Sequence, residues 1–245
     1  MRRTRPGSLA TGLIAALWLT ACTDSKELAS SPVTKKITHS AATVARNPTR
    51  NAYFGDTHVH TRYSFDAYLM GTRTTPDDAY RFAKGAAIEH ATGLELQLNK
   101  PLDFLAVTDH GIYLGAMAKA AESDDPISEL EIGKIARNIT SPADSANGFM
   151  AMGRYIAALK KEPGKPDLMD DKEAAQSAWS NIVAAAEQHN EPGTFTTFIG
   201  YEYTTGGPEA QNLHRNVIFR SANVPDTPFS RLESLNPEDL WSWMD

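Results

Sequence analysis

Apolar positions in this chain fall into short, separated groups, and their spacing changes from group to group. Leu9 to Leu19 (LATGLIAALWL) form one continuous run. It is shorter than the ~20 apolar residues that span a bilayer. Residues 22–50 sustain no apolar period and are rich in Ser, Thr, Ala and Lys, which predicts a flexible tether. Ala52-Tyr53-Phe54-Gly55 predicts a short buried strand. Thr75 is placed to cap a helix, with Pro76 in its first turn and Asp77 and Asp78 at the positive end of its dipole. Ala79, Phe82 and Ala83 give that helix an apolar face, and Gly85 ends it. Leu102 to Val107 (LDFLAV) predicts a buried strand that delivers Thr108-Asp109-His110-Gly111 at its carboxyl end. Residues 114–161 are rich in Ala and Met and predict two or more helices, interrupted between Ile139 and Pro142.

Residues 171–188 carry the clearest helical period, with Ala175, Ala178, Trp179, Ile182, Val183 and Ala186 on one face. Phe195 to Thr204 is β-branched and aromatic, and Asn216 to Phe219 is a second strand opening just after His214. Asn236-Pro237-Glu238-Asp239-Leu240 starts a further helix. The order strand, helix, strand, helices, strand, strand predicts an α/β sheet or barrel with functional residues at strand ends. No internal repeat interrupts it, and residues 51–245 suffice for one domain with a real core.

The N-terminal run gains meaning from its neighbours. Arg2, Arg3 and Arg5 precede it and Leu19-Thr20-Ala21-Cys22 closes it, the layout of an export signal over residues 1–21. Cys22 is the one cysteine, so it has no internal disulfide partner. Leu-Thr-Ala-Cys resembles the lipobox of bacterial lipoproteins, which implies a lipid-modified Cys22, an exported chain and attachment to the periplasmic or outer side of a bacterial membrane. An ordinary signal with a chance cysteine is the other reading. Removing the three signal arginines leaves 21 of 24 basic residues against 30 acidic ones, a net charge of −9. No basic cluster suggests nucleic acid as a partner.

Candidate chemistry gathers at the strand ends: His58, His60, Asp66, His110, Glu202 and His214. On an extended segment residues i and i+2 point the same way, so His58 and His60 can aim at one ion. Imidazole and carboxylate suit zinc, manganese or iron, and a carboxylate can bridge two ions. Each piece alone has a plainer reading. His-Val-His is also a surface pair, Glu202 could face solvent between Tyr201 and Tyr203, and His214-Arg215-Asn216 could be a polar turn. Asp109 could hold His110 from behind or ligate directly. Four of seven histidines at strand ends make the joint reading a metal site. His39 lies in the tether, and His90 and His189 follow helical patterns that predict surface positions.

Five segments carry a resemblance: Tyr53 to Thr61 (YFGDTHVHT), Tyr63 to Ala67 (YSFDA), Thr74 to Tyr80 (TTPDDAY), Leu102 to His110 (LDFLAVTDH) and Leu213 to Phe219 (LHRNVIF). Residues 51–245 resemble the DUF3604 family, which is related to the PHP (polymerase and histidinol phosphatase) superfamily. The resemblance implies a distorted (β/α)7 barrel with two or three divalent metals at the strand ends and, in many members, phosphoesterase activity. It implies that His58, His60, Asp66, His110, Glu202 and His214 are ligands, with Glu202 bridging. The superfamily's remaining histidine and final Asp-x-His come later in the chain, and no histidine follows His214 here. An incomplete barrel follows, with its N-terminal strands and helices only. Metal-activated water would be the nucleophile. Arg215 could grip a small anionic substrate or form a surface salt bridge, and Tyr63 and Tyr68 could line the pocket or pack. A lipid-anchored binding protein or inactive remnant, and an amide or lactone hydrolase, are the alternative functions.

Overall fold

The computed structural model describes residues 47–90, 93–122, 124–206 and 213–245. The signal, Cys22, His39 and the tether up to residue 46 lie outside the described residues. The elements run β1 (Gly55–Val59), α1 (Phe65–Leu69), α2 (Pro76–Ala83), β2 (Ile88–Glu89), β3 (Glu95–Leu96), β4 (Phe104–Val107), α3 (Ala116–Glu122), a 3-10 turn (Pro126–Glu129), α4 (Glu131–Ala136), α5 (Pro142–Lys161), α6 (Lys172–His189), β5 (Thr196–Tyr203), β6 (Arg215–Ile218) and α7 (Pro237–Met244).

The local signals explain most helix starts. Thr75 accepts from the Asp78 amide while the Asp78 carboxylate accepts from the Thr75 amide, a reciprocal cap that satisfies two otherwise orphaned donors. Ser141 caps α5 and Asp171 caps α6, each side chain accepting from the amide three residues on. The break in the helical region falls between α4 and α5, where Asn138 to Ser141 interrupt the period.

β1, β4 and β5 are parallel neighbours in the order β1-β4-β5-β6, and β6 runs antiparallel to β5. One sheet face buries Leu105, Val107, Ile199, Tyr201, Tyr203 and Val217 beneath α2 and α6, which contribute Tyr80, Trp179 and Ile182. Burying a side chain of this size stabilises by roughly 1.5–3 kcal/mol. Trp179 satisfies its indole N–H on the Pro225 carbonyl at 2.8 Å. A second core beneath α1, α3, α4 and α5 buries Leu69, Met117, Ile132, Met152 and Met169. The sheet is curled. β1 and β6 are its two edges, yet the Asn216 side-chain amide on β6 donates to the Thr57 carbonyl on β1 at 2.8 Å. That curl brings the carboxyl end of β1 toward the start of β6.

The first strand lies later than its apolar residues suggest. It spans Gly55–Val59 on the sheet edge, and Tyr53 and Phe54 before it are 60% and 69% exposed. An edge strand of polar residues gains its place from pairing: Gly55 opposes Phe104 and Asp56 opposes Leu105. The β2–β3 hairpin pairs only Ile88 with Leu96 and Glu89 with Glu95, too short for an alternating period to register. No helix among the described residues is long and apolar enough to cross a membrane.

Candidate metal centre

Four chain segments converge at one end of the curled sheet. His58 lies in β1 and His60 just beyond it; His110 follows β4; Glu202 sits near the end of β5. Since β6 is antiparallel, His214, just before it, meets the others at that same end. Asp66 enters from the first turn of α1.

Glu202 is the centre of the group and has no accessible surface. Its Oε2 lies 2.8 Å from His60 Nε2, 3.1 Å from His110 Nδ1 and 3.3 Å from His58 Nε2. Its Oε1 lies against His214 Nδ1. Asp66 reaches the group from the other side, with Oδ2 3.2 Å from His110 Nε2 and Oδ1 3.5 Å from His60 Nδ1. Three trios result: His58, His60 and Glu202; His60, Asp66 and His110; His110, Glu202 and His214. In each, the potential ligand atoms all lie within 4.8 Å of one another. The trios share His60, His110 and Glu202, so the cluster is one connected set of donors.

The electrostatics follow from that crowding. Burial works against the charge of Glu202, but the surrounding imidazoles prevail and lower its pKa to about 2. Burial likewise opposes a charged His60, yet the Asp66 and Glu202 carboxylates beside it raise its pKa to about 10. Asp66, opposed by burial, is held well below the usual carboxylate range by His110 and His60. His60 Nε2 and Glu202 Oε1 are buried with no hydrogen bond of acceptable geometry, although each touches an oppositely polarised group. A ring nitrogen, once deprotonated, and a carboxylate oxygen are donors that suit a borderline divalent ion.

A layer of neutral hydrogen bonds holds the ligands in place. Asp109, fully buried, was an expected support for His110, and its carboxylate instead takes four donors from the loop after β1. It accepts from the Thr61 amide and hydroxyl, both at 2.6 Å, and from the Ser64 amide and hydroxyl at 3.1 and 2.7 Å. That loop carries His60 at one end and Asp66 at the other. The Ser64 hydroxyl in turn accepts from the His110 amide at 3.0 Å. Asp109 therefore acts on the centre through Thr61 and Ser64. Burial pushes its pKa up, against the pull of those donors. Phe65 stacks on the His110 ring with centroids 5.1 Å apart, and Thr204 Oγ1 hydrogen-bonds His110 Nδ1. In the tautomer that donates from Nδ1, the ring presents Nε2 toward Asp66. Gly111 gives its amide to the Glu202 carbonyl at 2.9 Å, where a Cβ would press to 3.1 Å from the Tyr201 ring.

Other candidates lie elsewhere. Arg215 turns Nη1 onto the Leu213 carbonyl at 2.6 Å. Tyr63 accepts from Asn181 at its hydroxyl, and Tyr68 is buried under the Arg73 guanidinium, 3.7 Å above its ring. His189 is buried, contrary to its expected surface position: it stacks on Tyr80 and lies 2.7 Å from Asp77 Oδ1. The α2–α6 contact that buries it is tertiary and leaves no mark on helical spacing. His90 follows β2 in the hairpin and not in a helix. Thr61, Ser64 and Thr204 are the supports that sequence reading missed; polar residues flanking His60, Asp66 and Glu202 were their only signal.

Fold and site together define a mixed α/β protein with a connected histidine–carboxylate cluster at the ligand end of a curled, mainly parallel sheet. The family model of DUF3604, described as a protein of unknown function, matches residues 47–245. The chain belongs to the DUF3604 family. No curated protein and no solved structure matches it.

Proposed function

We propose that this chain is a metal-dependent hydrolase acting on phosphoesters. The observation that carries the reading is Glu202: a carboxylate with no accessible surface, enclosed by His58, His60, His110 and His214. A buried carboxylate is expensive unless paired or metal-bound, and the imidazoles that favour its charge here are themselves metal donors. The resemblance to the PHP superfamily supports both the ligand set and the chemistry, and the curled parallel sheet is compatible with part of its barrel. Zinc, manganese or iron would supply Lewis acidity and a water of lowered pKa.

The chain's own residues divide the remaining work. The four imidazoles and Asp66 offer neutral and anionic donors around Glu202, whose Oε2 faces His58, His60 and His110 and whose Oε1 faces His214. Asp109, through Thr61 and Ser64, keeps the loop bearing His60 and Asp66 in register. Phe65 and Thr204 fix the His110 ring. Arg215, next to His214, is the candidate for the anionic part of the substrate once it leaves the Leu213 carbonyl. Lipidation at Cys22 would place the domain on the periplasmic or outer side of a membrane.

A panel of phosphomonoesters, phosphodiesters, lactones and amides, assayed with zinc, manganese and iron, tests the reading. Phosphoester hydrolysis should vanish with chelator, return with added ion, and be lost in Glu202→Gln and His110→Ala. Turnover of lactones or amides alone would move the chemistry to carbonyl substrates. Metal retention with no turnover at all would make the chain a binding protein.

A further inference from the structure

A cavity of about 490 Å³ opens between α2, the β1 edge and the β2–β3 hairpin. Its walls are mainly apolar: Val59, Phe82, Ile88, Leu98, Leu102 and Leu105. Its volume falls in the range of small-molecule sites. Room for roughly 16 heavy atoms follows, since a water takes ~30 Å³ in the liquid. His60 lines it as well, so the cavity and the metal centre share a wall. Val59 beside His60 continues that wall on the apolar side.

The groups around the cavity decide what can enter. Asp56 and Glu89, both exposed, border it, and the Asp56 carboxylate accepts from the His58 amide at 2.8 Å. Arg73 also borders it, but its guanidinium is committed to the Tyr68, Thr72 and Ala136 carbonyls and lies over the Tyr68 ring. The apolar wall offers an anionic group no partner, and a neutral apolar group loses water on entering. The histidine cluster on the other side of His60 is the place for an anion. We infer that the cavity receives the uncharged apolar group of the substrate, an alkyl or aryl chain, while its anionic ester lies at the metal centre. The substrate class is then an amphiphilic ester, a charged head on an apolar tail. This assignment of the tail rests on the hydrolase reading above; the binding of an apolar molecule in the cavity does not.

The test has two arms on the full chain. In the first, the neutral fluorophore N-phenyl-1-naphthylamine is titrated into metal-free protein. Wild type should bind it, and Leu98→Glu and Ile88→Glu, at partly exposed wall positions, should each weaken binding at least tenfold by placing a charge in the apolar wall. Circular dichroism and metal content check that both variants fold. In the second, 4-nitrophenyl alkyl phosphates of increasing chain length are compared. kcat/KM in the wild type should climb by up to roughly fourfold per methylene, and Leu98→Glu should flatten that climb. Fluorophore binding lost in the variants, with no ester turned over, overturns the hydrolase reading and keeps the cavity as an apolar site. Hydrolysis indifferent to chain length, with no fluorophore bound, overturns the cavity assignment and keeps the hydrolase. Fluorophore binding that survives both substitutions also overturns it.

Discussion

Asp109, just past β4, and Glu202, in β5, are neighbouring buried carboxylates, and the Glu202 amide donates to the Asp109 carbonyl at 2.9 Å. Their surroundings differ in kind. Asp109 is enclosed by neutral donors, the amides and hydroxyls of Thr61 and Ser64, and burial raises its pKa. Glu202 is enclosed by imidazoles that lower its pKa to about 2 despite burial, and one of its oxygens has no hydrogen bond. Burial alone therefore does not mark a functional carboxylate. A carboxylate saturated by fixed neutral donors fastens a loop. One crowded by imidazoles, with an oxygen that has no hydrogen bond, has the donors to hold a cation.

Substitutions separate the two roles. Asp109→Ala strands four donors in the interior and should cost ~3–5 kcal/mol of stability, read by urea unfolding. A loss below ~1 kcal/mol would mean that the loop does not depend on it. Ser64→Ala removes one link between Asp109 and the His110 amide. It should cost about 1–2 kcal/mol and weaken metal binding by roughly 10-fold or more. Full stability loss with unchanged metal affinity would cut Asp109 off from the centre.

Protons offer a third way to tell the sites apart. His60 has a folded pKa raised above its ordinary 6.5 to about 10 in the metal-free protein. Its proton therefore contributes stability that is complete below pH ~6.5 and lost as pH rises through about 10. A metal must displace that proton. At pH 8, titration calorimetry in buffers of different ionisation heat should show about one proton released per ion at this trio, with affinity rising about tenfold per pH unit. Binding independent of pH would remove His60 from the ligands. The smallest effect belongs to His189→Ala, which loses the Asp77 contact and the Tyr80 stack. It should cost about 1 kcal/mol and leave metal affinity unchanged.

Legibility in the sequence tracked how local the cause of each feature was. α2 was readable because Thr75, Pro76 and Asp78 form its cap within four residues. β4 and β5 were readable because both are buried under helices and their apolar runs are continuous. β1 was misplaced because an edge strand takes its position from pairing with β4, and its own residues are polar. The six candidate ligands were legible only as a set, each alone having a plainer reading, and Asp66 lies in the first turn of α1 and not at a strand end. Their convergence on Glu202 depends on the curl of the sheet, to which the Asn216–Thr57 bond contributes. No local pattern encodes it. The role of Asp109 was half legible: its place beside His110 suggested a support, but its donors lie 45 and 48 residues away in sequence.

Metal content tests the central claim most directly. Full-length chain equilibrated with zinc, manganese or iron, freed of loose ions and measured by elemental analysis, should retain at least one ion per chain. Glu202→Gln should weaken that binding by more than about 100-fold, equal to about 2.7 kcal/mol, while circular dichroism shows it folded. Wild-type protein that keeps no ion, or a Glu202→Gln variant that keeps the same number as wild type, would contradict the account.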